Sequence, residues 1–208
     1  AIAMSNVDTL LNINPEKAKE AISDIVAVRR DMASNSPNNI KFQRDYSSAL
    51  QRAGAISKNS GEYDDSIKFF TESRAILSDL VVIDVSNGRA PRDLGWAEYF
   101  LGEVTIKAGD ADSGLAIIEH GLVLFRDRCV AFPTAADARN DVLILTKSYV
   151  DLCEQEGQLN RAESVIRDLL VTIQPVVEQN PENFALADMF SKLETFHNNV
   201  EKNIVSVE

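Results

Sequence analysis

Gly61, Gly109 and Gly157 stand 48 residues apart, each in a turn-like setting: Ser60-Gly61-Glu62, Ala108-Gly109-Asp110 and Glu156-Gly157-Gln158. Four further sets keep that stride. Asp45, Asp93 and Asp141 form one, with Arg44 and Arg92 ahead of the first two. Pro37, Pro133 and Pro181 form another, with Val85 in the vacant slot; Asn39, Asn87 and Asn183 follow two residues later, and Asp31, Asp79 and Asp127 make the last. A period of this length describes a stack of like units, each too small to bury its own apolar face, so that neighbours complete the core.

One unit reads as two helices. Residues 42–59 carry Phe42, Tyr46, Ala49, Leu50, Ala53 and Ile56 at helical spacing, and after Gly61 come Ile67, Phe70, Ile76, Leu77, Leu80 and Val81. A glycine at the turn supplies the positive φ that ends one helix, and the acidic residues beyond it suit the positive end of the next. Asn180-Pro181 reads as a cap followed by a first-turn proline. The expected fold is therefore all-α, a right-handed α-α superhelix of about eight main antiparallel helices in one domain, 5–204. It divides into a half-repeat 14–33, repeats 37–84, 85–132 and 133–180, and a closing helix 181–204. Residues 5–11 add a short helical piece, and 81–85 is a helix end despite its β-branched composition.

Charge narrows the partners. The chain carries 21 Lys and Arg against 32 Asp and Glu, a formal net charge of −11, with no cationic cluster. Binding of duplex nucleic acid or an anionic membrane needs clustered cations, so neither is an expected partner. No window approaches the roughly 18 apolar residues of a membrane span, and the start lacks the pattern of a signal peptide, so a cytoplasmic protein is expected.

Chemistry is sparsely provided. Neither Gly-x-x-x-x-Gly-Lys-Ser/Thr nor Gly-x-Gly-x-x-Gly occurs, so no nucleotide loop is expected. His120 and His197 have no evident companions: His197 shares its phase with Ala53, Leu101 and Tyr149 and reads as packed on the stack, whereas His120 reads as solvated. Cys129 and Cys153 fall at core and small-residue positions. Carboxylates at 64, 65, 110, 112, 154 and 156 lie at turns and helix ends, where they favour the helix dipole or face water. Asp45, Asp93 and Asp141 read as dipole and capping residues, and Arg44 and Arg92 as partners of neighbouring repeats. No catalytic residue, metal ligand or cofactor is expected, and the chain reads as a non-enzyme.

Leu101-Gly102 followed by Gly109, Gly54 followed by Gly61, and the pairs Ser66 with Phe70, Ala162 with Ile166 and Ala18 with Ile22 resemble the tetratricopeptide repeat. Glu98 and Thr105 replace the aromatics of that pattern, Gly114 its alanine, and Val150 stands at a small-residue place. The stride exceeds the family's 34 residues by 14, about two turns in each helix. Long repeats with a recurrent Arg-Asp also look like those of bacterial multidomain proteins that carry kinase or nucleotide-binding modules. The resemblance implies a noncatalytic interaction scaffold or regulatory module that binds a protein segment on a concave face lined by the first helix of each repeat. Outward positions there are Gln51 and Lys58, then Trp96, Tyr99, Glu103, Ile106 and Lys107, then Lys147 and Asp151. Trp96 and Tyr99 read either as aromatic anchors within a charged rim or as packing under the loop at 86–92. The lysine and asparagine clamp for a C-terminal carboxylate is not reproduced, since Gln51 and Ala55 hold its places. The alternative is a small-ligand sensor that regulates a fused or neighbouring catalytic domain, and self-association into a homo-oligomer is open.

Overall fold

In the computed structural model of the chain, which describes residues 13–83 and 88–207, eight α-helices follow one another, and no strand occurs among the described residues. They are α1 (Pro15–Asn35), α2 (Ile40–Asn59), α3 (Tyr63–Ile83), α4 (Arg89–Lys107), α5 (Ala111–Ala131), α6 (Ala136–Gln155), α7 (Leu159–Gln179) and α8 (Phe184–Val207). The sequence stride is a structural one: α1, α3, α5 and α7 are each 21 residues long and begin 48 residues apart. The helical piece expected at 5–11 lies outside the described residues, as does Val85. None of the described helices is long and apolar enough to cross a membrane.

The three marker glycines act alike. Gly61, Gly109 and Gly157 have φ of 77°, 100° and 68°, a backbone that a side chain would strain. In each case the amide after the glycine reaches back to the carbonyl five residues earlier: Glu62 to Ser57 at 2.9 Å, Asp110 to Thr105 at 3.1 Å, Gln158 to Cys153 at 2.7 Å. The glycine's own amide bonds to Lys58, Ile106 or Glu154. This paired closure satisfies the last carbonyls of α2, α4 and α6 and reverses the chain into the next helix.

Three helix starts are capped by asparagine, two of them, Asn39 and Asn183, in the 48-residue register. The Asn14 side chain accepts from the Lys17 amide, Asn39 from the amides of Lys41 and Phe42, and Asn183 from that of Leu186. The closing helix accordingly begins at Phe184, not at 181. Asn180 instead stands at the end of α7, its Nδ2 donating to the Val176 carbonyl at 2.7 Å. In the second repeat Gly88 takes the cap position with φ 61°, so residues 89–92, expected in a loop, are already helical.

Two compact units make up the chain, 1–110 and 111–208. In the first, α1 packs on α2, α2 on α3 and α3 on α4, and α2 also touches α4. In the second, α5 packs on α6 and α7, α6 on α7 and α8, and α7 on α8. Contact with both the next helix and the one after it is the alternating layering of stacked helical hairpins. The register that builds each core is shared: Ile22 and Phe70 in the first unit, and Ile118 and Ile166 in the second, are all buried. The slot four residues earlier is always small and always buried: Ala18 and Ser66, then Gly114 and Ala162. Small residues let the helices close up. Ser66 donates to the Gly54 carbonyl at 2.8 Å, the hydroxyls of Ser47 and Ser73 meet at 2.8 Å, and the tip of the Phe70 ring abuts Gly54.

Candidate functional site

The first unit carries an aromatic surface. On α4, Tyr99 and Phe100 both lie one turn after Trp96, and all three are half-buried. Trp96 meets Tyr99 edge-on at 5.9 Å and stacks on Phe100 at 6.1 Å, and Phe100 in turn stacks on buried Phe70 at 5.8 Å. The rings are thus fixed from beneath by the core, and Trp96 and Tyr99 are neither bare nor engulfed.

Beside them, between α2, α3 and α4, lies a cleft of about 300 Å³ lined by Trp96 and Phe100 with Gln51, Leu77, Arg44, Asp93 and Arg89 among others. Its polar end is an ion cluster in which Asp93 lies 3.5 Å from the Arg44 guanidinium and 3.6 Å from that of Arg89. Arg44 does link one repeat to the next. The aspartates of its register sit in the second turn of their helices and act by pairing with cations, Asp45 with Lys41 and Asp141 with Arg128, rather than by capping.

The other expected site residues divide. Lys58 donates to Glu103 at 2.6 Å with only 17% of either side chain exposed, so these two clasp α2 to α4. Gln51 donates to Ser73 Oγ at 3.2 Å on α3. Lys107 is exposed in the last turn of α4, and Ile106, expected outward, is buried. Lys147 and Asp151 belong to the second unit and pair with each other along α6 at 2.7 Å. Phe100, Arg44 and Arg89 were absent from the expected set. Phe100 lies one turn after Trp96, a spacing that points to it.

Titratable groups cluster elsewhere in two ways. Each unit groups a tyrosine with a glutamate and an arginine from the flanking helices. Tyr46 donates to Glu72 and accepts from Arg30 Nε at 2.5 Å. Tyr149 donates to Glu119, which also takes Arg161 Nε at 2.5 Å. Burial, then the bond to the carboxylate, pushes both phenols above their ordinary range, and the carboxylate holds Arg161 protonated. Both cysteines are free and buried; burial pushes each thiol up to about 11, which makes them inert core residues. The second arrangement is on α7 and α8. His197 is half-buried at the edge of the core, its Nε2 3.1 Å from Glu163 and its Nδ1 3.9 Å from Glu201. His120 is exposed, as expected. The sequence signal for this cluster is the spacing of four between His197 and Glu201, which puts both on one helix face.

No family model matches the chain, and no curated protein matches it. Among solved structures it is similar to the DHF58 filament, at 9% identity over 92% of this chain and 97% of that one, with a TM-score of 0.45. It is also similar to the crystal structure of a de novo designed helical repeat protein, DHR64, at 10% identity over 93% of this chain and 98% of that one, with a TM-score of 0.50. That likeness, with the constant stride of α1, α3, α5 and α7, shows the chain to have the helical-repeat fold.

Proposed function

We propose that the chain is a noncatalytic, TPR-like interaction module whose first unit binds a protein segment against Trp96 and Tyr99. One observation carries the reading: half-exposed Trp96, backed by Phe100 and Phe70 and met edge-on by half-exposed Tyr99, lines a cleft that also holds the Arg44–Asp93–Arg89 cluster. Aromatic anchors with a polar surround are the composition of binding hot spots, and a rigid receptor loses little entropy when a segment docks. An extended segment would lay an apolar side chain on Trp96 and present a polar or charged group to the arginines and Asp93. Lys58 and Glu103 then serve to hold α2 against α4, and Lys147 with Asp151 stand outside this site. The second reading, a small-ligand sensor, draws on the volume of the cleft, about 300 Å³, at the lower end of the ~300–1,000 Å³ usual for such pockets.

The test is peptide selection on the folded protein followed by fluorescence polarisation with the selected sequences. Trp96→Ala is expected to weaken capture about 30-fold, the equivalent of about 2 kcal/mol at a hot spot. Equal capture by folded Trp96→Ala and Tyr99→Ala variants, or a selection that enriches nothing, defeats the segment-binding reading.

A further inference from the structure

We propose that Glu163, His197 and Glu201 form a binding site for one divalent transition-metal ion, zinc by preference, joining α7 to α8. One ligand atom from each of the three lies within 4.8 Å of the others. Around an ion with ligands at about 2.0–2.2 Å in tetrahedral array, ligand atoms are about 3.4 Å apart. His197 Nε2 and Glu163 Oε1, at 3.1 Å, already stand at nearly that separation. With Nε2 as the ligand nitrogen, the remaining adjustment falls on Glu201, which lies 3.9 Å from Nδ1 and must turn towards Nε2; its side chain is 55% exposed and free to change rotamer, while those of His197 and Glu163 are 18% and 19% exposed and held. Metal binding therefore orders one mobile side chain, not three.

The donor set selects the ion. One imidazole nitrogen with two carboxylates suits zinc and its first-row neighbours, whereas calcium and magnesium take oxygen throughout. The two carboxylates are set against two cations, Arg167, which lies 3.3 Å from Glu163 on a side chain 59% exposed, and exposed Lys202, and both cations can swing into solvent when an ion binds. Access is present as well: Glu163 and Glu201 line an open cleft of about 730 Å³ together with Asn160, Asn198 and Lys202. Two of the three ligands, Glu163 and Glu201, face this cleft, and a three-ligand set leaves a fourth position there for water or an exogenous anion. Both helices belong to the second unit, so the site depends on one packed helix pair.

The experiment is calorimetric titration of zinc chloride into the chelator-stripped full chain, with cobalt(II) absorption as a second readout. The expected result is one ion per chain, a tetrahedral cobalt spectrum without a thiolate charge-transfer band, and a higher thermal midpoint with metal. Glu201→Gln, isosteric and largely in solvent, is expected to weaken binding at least tenfold, as even an outer-shell change does at such sites. His197→Gln and Glu163→Gln should do the same, while His120→Gln leaves the affinity unchanged. Absence of stoichiometric binding, equal affinity in folded Glu201→Gln, a cobalt–thiolate band, or displacement of zinc by magnesium or calcium would each overturn the proposal.

Discussion

Gly54→Ala sets two effects of opposite sign against each other. Gly54 lies inside α2, where alanine is favoured over glycine by about 1 kcal/mol on helix propensity alone. An added Cβ, however, would lie 2.9 Å from Cζ of Phe70 and 3.0 Å from both Cε atoms. Carbon contacts settle at about 3.5–4.0 Å, so the ring must retreat by at least about 0.6 Å. It has little room to do so: Phe70 is 1% exposed and stacked on Phe100 at 5.8 Å. Overpacking of this kind costs about 1–3 kcal/mol, which leaves a net loss of about 1 kcal/mol. Urea unfolding followed by tryptophan emission measures it cleanly, because Trp96 is the sole tryptophan and shares the first unit with Gly54. In a Phe70→Leu background the ring tip is gone, and Gly54→Ala should reverse sign and stabilise by about 1 kcal/mol. Stabilisation by Gly54→Ala in the parent chain, or the same change in both backgrounds, would refute the claim that close approach of α3 keeps this position a glycine.

Two further outcomes follow from the same structure. Asn39→Ala strips the cap from the amides of Lys41 and Phe42 and should cost about 1 kcal/mol in urea unfolding, with Asn39→Asp restoring most of it. Burial raises the Cys129 and Cys153 thiols from 9.0 to about 11. Their contribution is intact below pH 9 and is lost as pH rises towards 11, since the unfolded chain then releases protons that the folded chain keeps. Stability should fall by up to about 1.4 kcal/mol per pH unit per cysteine in that window, a slope that Cys129→Ala and Cys153→Ala each reduce.

What was legible in the sequence is what recurs. The glycine turns, the small slot at 18, 66, 114 and 162 and the apolar slot at 22, 70, 118 and 166 each answer a demand that every hairpin makes, so each is written several times. Helix starts were less secure. Asn180-Pro181 has the composition of a cap, yet the Asn183 side chain holds the Leu186 amide and Asn180 closes α7 instead. The register of 39 and 183 carries that information, whereas the local pair Asn180-Pro181 does not. Contacts between long side chains on different helices were not legible. Lys58 with Glu103 and Arg161 with Glu119 depend on how far two flexible chains reach across a helix pair, which no spacing along one chain encodes.

The departures from the stride carry a separate meaning. A repeat position has its residue dictated by packing only where its counterparts agree, so a residue that breaks the pattern must be compensated locally or serve something outside the stack. Glu98 is compensated: it stands in a slot held by Leu50 and Thr146, is fully buried, and takes Arg74 at 2.8 Å. Trp96 has no such explanation, because its counterparts Ser48 and Ile144 are exposed and the stack is complete at those places with a small or an aliphatic side chain. His197 and Glu201 occupy slots filled elsewhere by buried Tyr149 and Cys153, and they answer each other and Glu163 rather than the core. The physical argument for both the aromatic surface and the α7–α8 cluster is therefore the same: these side chains are present although the packing that recurs along the chain does not require them.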